Sequence, residues 1–306
     1  MDFALFAEQI LNGLQAGVTL FLTAAGLTLV FGIVGFINLN HGTLVMAGAY
    51  IAAKIATVTG SFWLGLAVAV PSVVVLGLLL ETSVFRRLYH RDHLDQVLAT
   101  FSLILFFNEL ARIVFGRLPY QIDKPALLAG AVHLFGDLYY PIYRLAVIGV
   151  GVAVAIGLWY LTAKTKLGML IRAGSTHRNL VGALGVNVGR LFLAIFALGA
   201  LLAGLAGAII GPMQAVEVGM GENIIILALV VIVIGGVGSI RGALVASVFV
   251  GIAESLGRTL VPYLFEKVVD TSTVTFLSGM FASTSAYVIL AAVLIVRPQG
   301  LFAGKV

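Results

Sequence analysis

Long apolar runs separated by short polar breaks set the pattern of this chain. Runs at 9–35, 62–85, 96–116, 141–163, 189–211, 243–262 and 273–296 each approach or exceed the length a helix needs to cross a hydrocarbon core. Two further runs are less regular. Residues 40–58 open at His41 and carry Lys54 near their far end, while residues 223–237 are intensely apolar but short. The pattern predicts an all-α, polytopic transmembrane helix bundle with eight or nine membrane segments. No stretch has the composition of a soluble domain, a linker or a disordered tail, so residues 1–306 read as a single transmembrane domain.

The polar breaks supply an orientation. Segment 164–190 carries Lys164, Lys166, Arg172, Arg178 and Arg190 with no acidic residue, which assigns it to the cytoplasmic side. Arg86, Arg87 and Arg91 assign the loop after the third segment to the same side, as do Arg297 and Lys305 for the C-terminus. Loop 212–222, with Glu217 and Glu222 and no basic residue, suits the outside, as does the mixed-charge, proline-containing loop 117–140. Nine crossings then put the N-terminus outside and the C-terminus inside. The first ten residues contain no Lys or Arg, so the first segment is expected to be a retained span rather than a cleaved presequence.

Composition narrows the function. Charged residues make up 10% of the chain, against roughly 25% in soluble domains, and hydrophobic residues 61%. The 36 glycines suit closely packed membrane helices. A net charge of +5 arises from scattered residues rather than a basic patch, which argues against nucleic-acid binding. The chain has no Cys, no G-x-x-x-x-G-K-[ST], no H-E-x-x-H and no G-x-S-x-G, so it offers no catalytic residue and no metal site, and no cofactor is expected on it. The glycine-rich Gly235–Gly242 lacks dinucleotide-binding spacing.

Several polar and small residues stand out. Asn38, Asn40 and His41 fall at a helix break between Gly35 and Gly42, either as a capped helix start with Asn40 at the N-cap or as the lining of a solute path. Glu254 and Arg258, spaced i,i+4, form either a structural pair or, through Glu254, part of that path. Asn108 is a further candidate lining residue, and Glu109 and Arg112 are a second structural pair. Gly204, Gly207 and Gly211 permit close helix contact, within the chain or with a partner. Gly236, Gly238 and Gly242 mark a break between two membrane segments, as a gate or a tight turn. Within 164–190, Leu167, Leu170, Ile171, Leu180 and Leu184 recur at helical spacing, which suits a short amphipathic helix that lies on anionic lipid or docks a cytoplasmic partner.

Seven stretches appear in a telling order: Gly26-Leu-Thr-Leu-Val-Phe-Gly32, Asn38-Leu-Asn-His-Gly42, Gly48-Ala-Tyr50, Gly185-Val-Asn-Val188, Leu202-Ala-Gly-Leu-Ala-Gly207, Gly235-Gly-Val-Gly-Ser-Ile-Arg-Gly242 and Arg297-Pro-Gln-Gly-Leu-Phe302. Together the chain resembles the permease subunits of branched-chain amino acid ABC importers, the LivH type, over nearly its whole length. The resemblance implies half of a translocation pathway in the bacterial inner membrane, beside a second homologous permease. It also implies two cytoplasmic ATPases that carry ATP and Mg, and a periplasmic or surface substrate-binding protein. Segment 164–190 is then the coupling segment, with Gly168, Arg172, Ala173, Arg178, Leu184, Gly185 and Asn187 as its candidate contacts. The sequence departs from the usual acidic/alanine run before Gly185, reading Arg178-Asn-Leu-Val-Gly182. The same pattern serves branched-chain amino acids, urea, short amides and aromatic acids. An ion-coupled secondary transporter and a membrane protein without transport activity are the alternatives from other classes.

Overall fold

The computed structural model describes residues 3–136, 138–176, 182–265 and 270–302. Its helices are α1 (Phe3–Val34), α2 (His41–Thr59), α3 (Phe62–Leu80), α4 (His93–Phe115), α5 (Ile142–Lys164), α6 (Lys166–Thr176), α7 (Val188–Ile210), α8 (Met220–Gly235), α9 (Ile240–Phe265) and α10 (Thr271–Val296). Among the described residues, eight helices are long and apolar enough to cross a membrane. α8 is a shorter apolar helix of 16 residues, about 24 Å long. Both irregular runs of the sequence are therefore helices.

Local chemistry sets several helix starts. The Ser61 side chain accepts a hydrogen bond from the Leu64 amide at 3.4 Å, Asn187 from Arg190 at 3.0 Å and Asp270 from Thr273 at 3.0 Å. Hydroxyl and amide donors of Ser272 and Thr273 hold the Asp270 carboxyl down at about 2, so this cap stays ionised at neutral pH.

α1 is the buried axis of the bundle, with continuous burial from Phe21 to Val30. It packs along α9 and α7, while α2 lies between α3, α7 and α8. Glycine allows these backbones to touch. A Cβ at Gly13 would lie 2.5 Å from Ile252 Cα, one at Gly17 2.6 Å from the Ser247 carbonyl, and one at Gly48 2.7 Å from the Gly204 carbonyl. In lipid, which supplies no hydrophobic drive between helices, such dispersion contacts carry the packing. α4, α5 and α10 turn mostly exposed apolar faces outward, including Phe106, Ile113, Ile156, Phe276 and Val288.

The third segment runs further than its apolar run suggests. It continues through a π-helical turn, Glu81–Phe85, and a short helical turn to Leu88. Glu81 is fully buried and accepts hydrogen bonds from Arg86 Nη2 at 3.0 Å and the Tyr89 hydroxyl at 3.1 Å. Arg86 is thus half of an ion pair and not simply a residue of a polar loop. The extra residue of the π turn brings positions five apart into line.

Loop contacts sort the helix ends. Tyr120 and Val216 exchange backbone hydrogen bonds at 3.0 and 2.8 Å, so the two loops assigned to the outside meet each other. Loop 117–140 also holds an antiparallel pair of short strands, Ala131–Phe135 and Leu138–Pro141, absent from the sequence reading. At the other end the Gln96 side chain accepts from the Ile37 amide and donates to the Leu88 and Arg91 carbonyls, joining two breaks on one side. Ala173 and Leu127 are both exposed, one in the basic segment and one in the proline-containing loop. In a chain without native Cys, Ala173→Cys should react with an impermeant thiol reagent only from the cytoplasmic side and Leu127→Cys only from outside. Reaction of both from one side would overturn the orientation.

Candidate solute pathway and coupling segment

α1 ends at Val34, and Gly35, with φ +67°, turns the chain back toward the bundle. Phe36 is buried in an aromatic cluster with Phe85, Tyr89 and Phe196, which anchors the returning strand. α2 then begins at His41, whose ring lies against Gly26 and Gly199. Gly26 is eight residues before the end of α1 at Val34, and Gly199 eleven after the start of α7 at Val188. At 1.5 Å per residue, α2 therefore starts roughly 12–16 Å inside the ends of its neighbours. A buried helix start is the irregular backbone that a membrane tolerates only where protein or a cavity satisfies it.

That start is only partly satisfied. Asn38, Asn40, His41 and Thr23 are at most 2% exposed. Among the described residues, the buried side-chain polar atoms without a partner are both amide atoms of Asn38 and of Asn40, Nε2 of His41, and the hydroxyls of Thr23 and Thr28. Thr23 and His41 adjoin, joined by a backbone hydrogen bond from the ring to Thr23. The capping expectation is corrected here. Asn40 precedes α2, but with φ −68° and ψ −3° its side chain makes no cap hydrogen bond. Folded proteins leave few buried polar atoms unpaired, and such clusters are places for water or a ligand.

A second helix start meets the first. Gly221, in the first turn of α8, stacks directly on Gly42 in the first turn of α2. Any side chain at either position would collide with the other backbone. Two positive helix ends thus lie side by side within the bundle. Glu222 in the first turn of α8 accepts a hydrogen bond from Asn108 Nδ2, so Asn108 reaches this junction from α4. Sequence patterning could not have joined α4 to α8 here.

The remaining candidates lie elsewhere. Glu254 pairs with Arg258 at 2.8 Å, with side chains 30% and 60% exposed. The pair sits toward the outer end of the bundle, since neighbouring Ser255 donates to Gln9 near the start of α1, and not at mid-depth. Glu254 also lines a cavity of about 280 Å³ with Gln15, Thr19 and Met213. Glu109 and Arg112 form an exposed pair near the outer surface. Glu254→Gln should lower the thermal midpoint only slightly, by less than about 1 kcal/mol of stability, and Arg258→Gln in the same chain should add almost nothing. A near-complete loss of uptake from Glu254→Gln alone would instead make it a pathway residue.

Gly204 and Gly207 pack within the chain: Gly207 against the Val45 carbonyl of α2, and Gly204 against Val73 of α3 as well as Gly48. Gly211 lies under Ile122 of the outer loop, so the three glycines meet different partners. Gly236 (φ +99°) and Gly238 (φ +79°) form a tight turn, and Gly242 rests on Gly235. The C-terminal segment fastens this turn, with Leu301 and Phe302 amides donating to the Ile234 and Gly235 carbonyls at 2.8 and 3.0 Å.

Between α5 and α7 the candidate coupling residues divide into two groups. Ala173 and Leu184 are exposed, and Gly185 adopts φ +84° after donating to the Gly182 carbonyl at 3.0 Å. Gly168 is buried where α6 folds against the Leu161 and Thr162 carbonyls, Arg172 donates to that Thr162 carbonyl, and Asn187 caps α7. These three therefore place the segment, whereas Ala173 and Leu184 present its surface. Arg178 lies outside the described residues.

A bundle of membrane-crossing helices, with two helix starts meeting inside it and a basic helix at one end, defines a polytopic helical membrane protein. The chain belongs to the family of branched-chain amino acid transport system permease components, whose model matches residues 9–297. It is 28% identical to the high-affinity branched-chain amino acid transport system permease protein BraD of Pseudomonas aeruginosa, covering 97% of this chain and 95% of that one. It is 26% identical to LivH of Escherichia coli, the corresponding permease protein, over 98% and 96% of the two chains. The probable branched-chain amino acid transport permease protein LivH of Methanocaldococcus jannaschii is 26% identical over 92% and 88%. The chain is a multi-pass inner-membrane transport permease component.

Proposed function

We propose that the chain forms half of a pathway that imports branched-chain amino acids, with the junction of α2 and α8 as its solute-contacting constriction. The observation that carries this is the unpartnered cluster of Asn38, Asn40, His41 and Thr23 beside two meeting helix N-termini. Helix N-termini inside a membrane favour an anionic group such as a carboxylate, and free amides supply further donors. Glu222, held by Asn108, places an acceptor nearby for an ammonium group. Full-length similarity to BraD and LivH supports the substrate class. The same similarity supports a second permease, two ATPases carrying ATP and Mg at the basic segment, and a separate binding protein, while this chain itself binds no cofactor.

Asn38→Leu tests the reading because it removes two buried unpaired atoms at similar volume. A purely structural cluster would gain stability and keep its uptake. We expect an unchanged or higher thermal midpoint with leucine uptake by the reconstituted complex down about tenfold or more, a cost of about 1.4 kcal/mol. Wild-type uptake in a stably folded variant would remove the cluster from the pathway.

A further inference from the structure

An apolar cavity lies away from that junction, and its chemistry differs. It encloses about 530 Å³ between α1, α5, α6 and the start of α9. Along α1 its wall runs from Phe21 to Ile33, twelve residues or about 18 Å of helix. Ala155 and the exposed Ile156 and Trp159 of α5 form the side opposite, so the long axis follows the membrane normal. This is the shape of a slot for a hydrocarbon chain.

One end of the slot is basic. Arg172 of α6 and Arg241 in the first turn of α9 both line it, on the side that the basic loops assign to the cytoplasm, and no carboxylate is among its lining residues in the described part of the chain. Arg172 is held there by donating to the Thr162 carbonyl, itself part of the lining. The 26-residue α9 points its positive end at the same mouth, with Ser239 accepting from the Gly242 amide at 3.0 Å. A second polar feature lies deeper: Thr28 lines the slot, is 1% exposed, and its hydroxyl has no partner.

We infer that this slot binds one anionic phospholipid of the cytoplasmic leaflet, with its phosphate between Arg172, Arg241 and the start of α9 and an acyl chain along α1. Charge complementarity selects the occupant: a basic mouth above an apolar groove between membrane helices is suited to an anionic headgroup and its tail. A transmembrane helix of a second permease would fill the groove but offer no anionic group to the basic mouth. The bound lipid joins α6, the coupling segment, to α9 without any contact to the α2–α8 junction. The site stands independently of the proposed substrate.

The test is lipid retention by the full chain, purified in detergent and titrated with phosphatidylglycerol or phosphatidylcholine of matched acyl chains, read by native mass spectrometry. Two basic side chains near a phosphate favour the anionic lipid by about thirtyfold, the expected preference of the wild type. Arg172→Gln with Arg241→Gln should bring the two lipids to parity, while Arg297→Gln, a basic residue outside the slot, should change nothing. Ala155→Trp fills the groove with both arginines intact and should abolish retention of either lipid. Chain-free glycerol phosphate should not displace the lipid. The inference is overturned if the preference survives the double arginine change, if glycerol phosphate competes fully, or if Ala155→Trp keeps the lipid and instead detaches a second permease.

Discussion

Gly185→Val is expected to reduce amino acid uptake by about tenfold or more while the isolated subunit inserts normally and melts within a few degrees of the wild type. Gly185 sits at φ +84°, a region that costs a side-chain-bearing residue about 1–3 kcal/mol and a β-branched one the most. Among the described residues a Cβ there would meet no atom within 4 Å, so the effect comes from the backbone and not from a clash. The strain is released by rotating the turn between the short basic helix and α7, which shifts the exposed Leu184 and moves Asn187 away from its cap on Arg190. This separates conformation from contact in a direct way. Gly185→Ala should lose most of the uptake that Val loses, whereas Gly185→Asn, which tolerates the left-handed region, should recover much of it. Solute-stimulated ATP hydrolysis by the reconstituted complex should follow the same order. Equal hydrolysis in all three variants would mean that the segment transmits nothing to the ATPases and rests on lipid.

The second large effect is on stability. Gly207→Ala should lower the thermal unfolding free energy by about 2 kcal/mol, and Gly207→Val by more. Even one added carbon would overlap the Val45 carbonyl and lie 2.8 Å from the Ala49 amide, so α2 and α7 would have to separate along buried surface. Neighbouring Ala203, Ala206 and Val45 are all fully buried, and nothing there is flexible enough to give way. Gly157 supplies the contrast, since a Cβ there meets nothing within 4 Å. Gly157→Ala should therefore be neutral or slightly stabilising, by up to about 1 kcal/mol, because alanine restricts the unfolded chain. Thermal melts of the purified chain in one detergent would compare the two. A Gly207→Ala midpoint at or above wild type would show that α2 and α7 do not pack as described.

The membrane class and the approximate spans could both be read from the amino-acid order alone. Each follows from chemistry within a short stretch of chain. Twenty apolar residues must become a helix in lipid because every backbone group needs a partner there. A basic loop is biased to one side. The Glu254–Arg258 pair was legible for the same reason, since i,i+4 neighbours share a helix face.

What the tertiary structure alone decided depends on depth and on partners far apart in sequence. Nothing local in Asn38, Asn40 and His41 says that α2 starts well inside the bundle. The ring of His41 had to be placed against Gly26 and Gly199 for a plausible helix cap to become a set of unpaired groups. The meeting of Gly42 with Gly221, the bond between Asn108 and Glu222, and the fastening of the α8–α9 turn by Leu301 and Phe302 join residues whose separation leaves no trace in any periodicity. Glu81 and Arg86 stayed hidden because a π turn changes the period itself, bringing a spacing of five onto one face. Hydropathy is a property of single residues summed along a segment and fixes which segments enter the membrane. Packing is a property of pairs, so the choice of which helix starts meet, and which polar atoms are left for a solute, belongs to the assembled bundle.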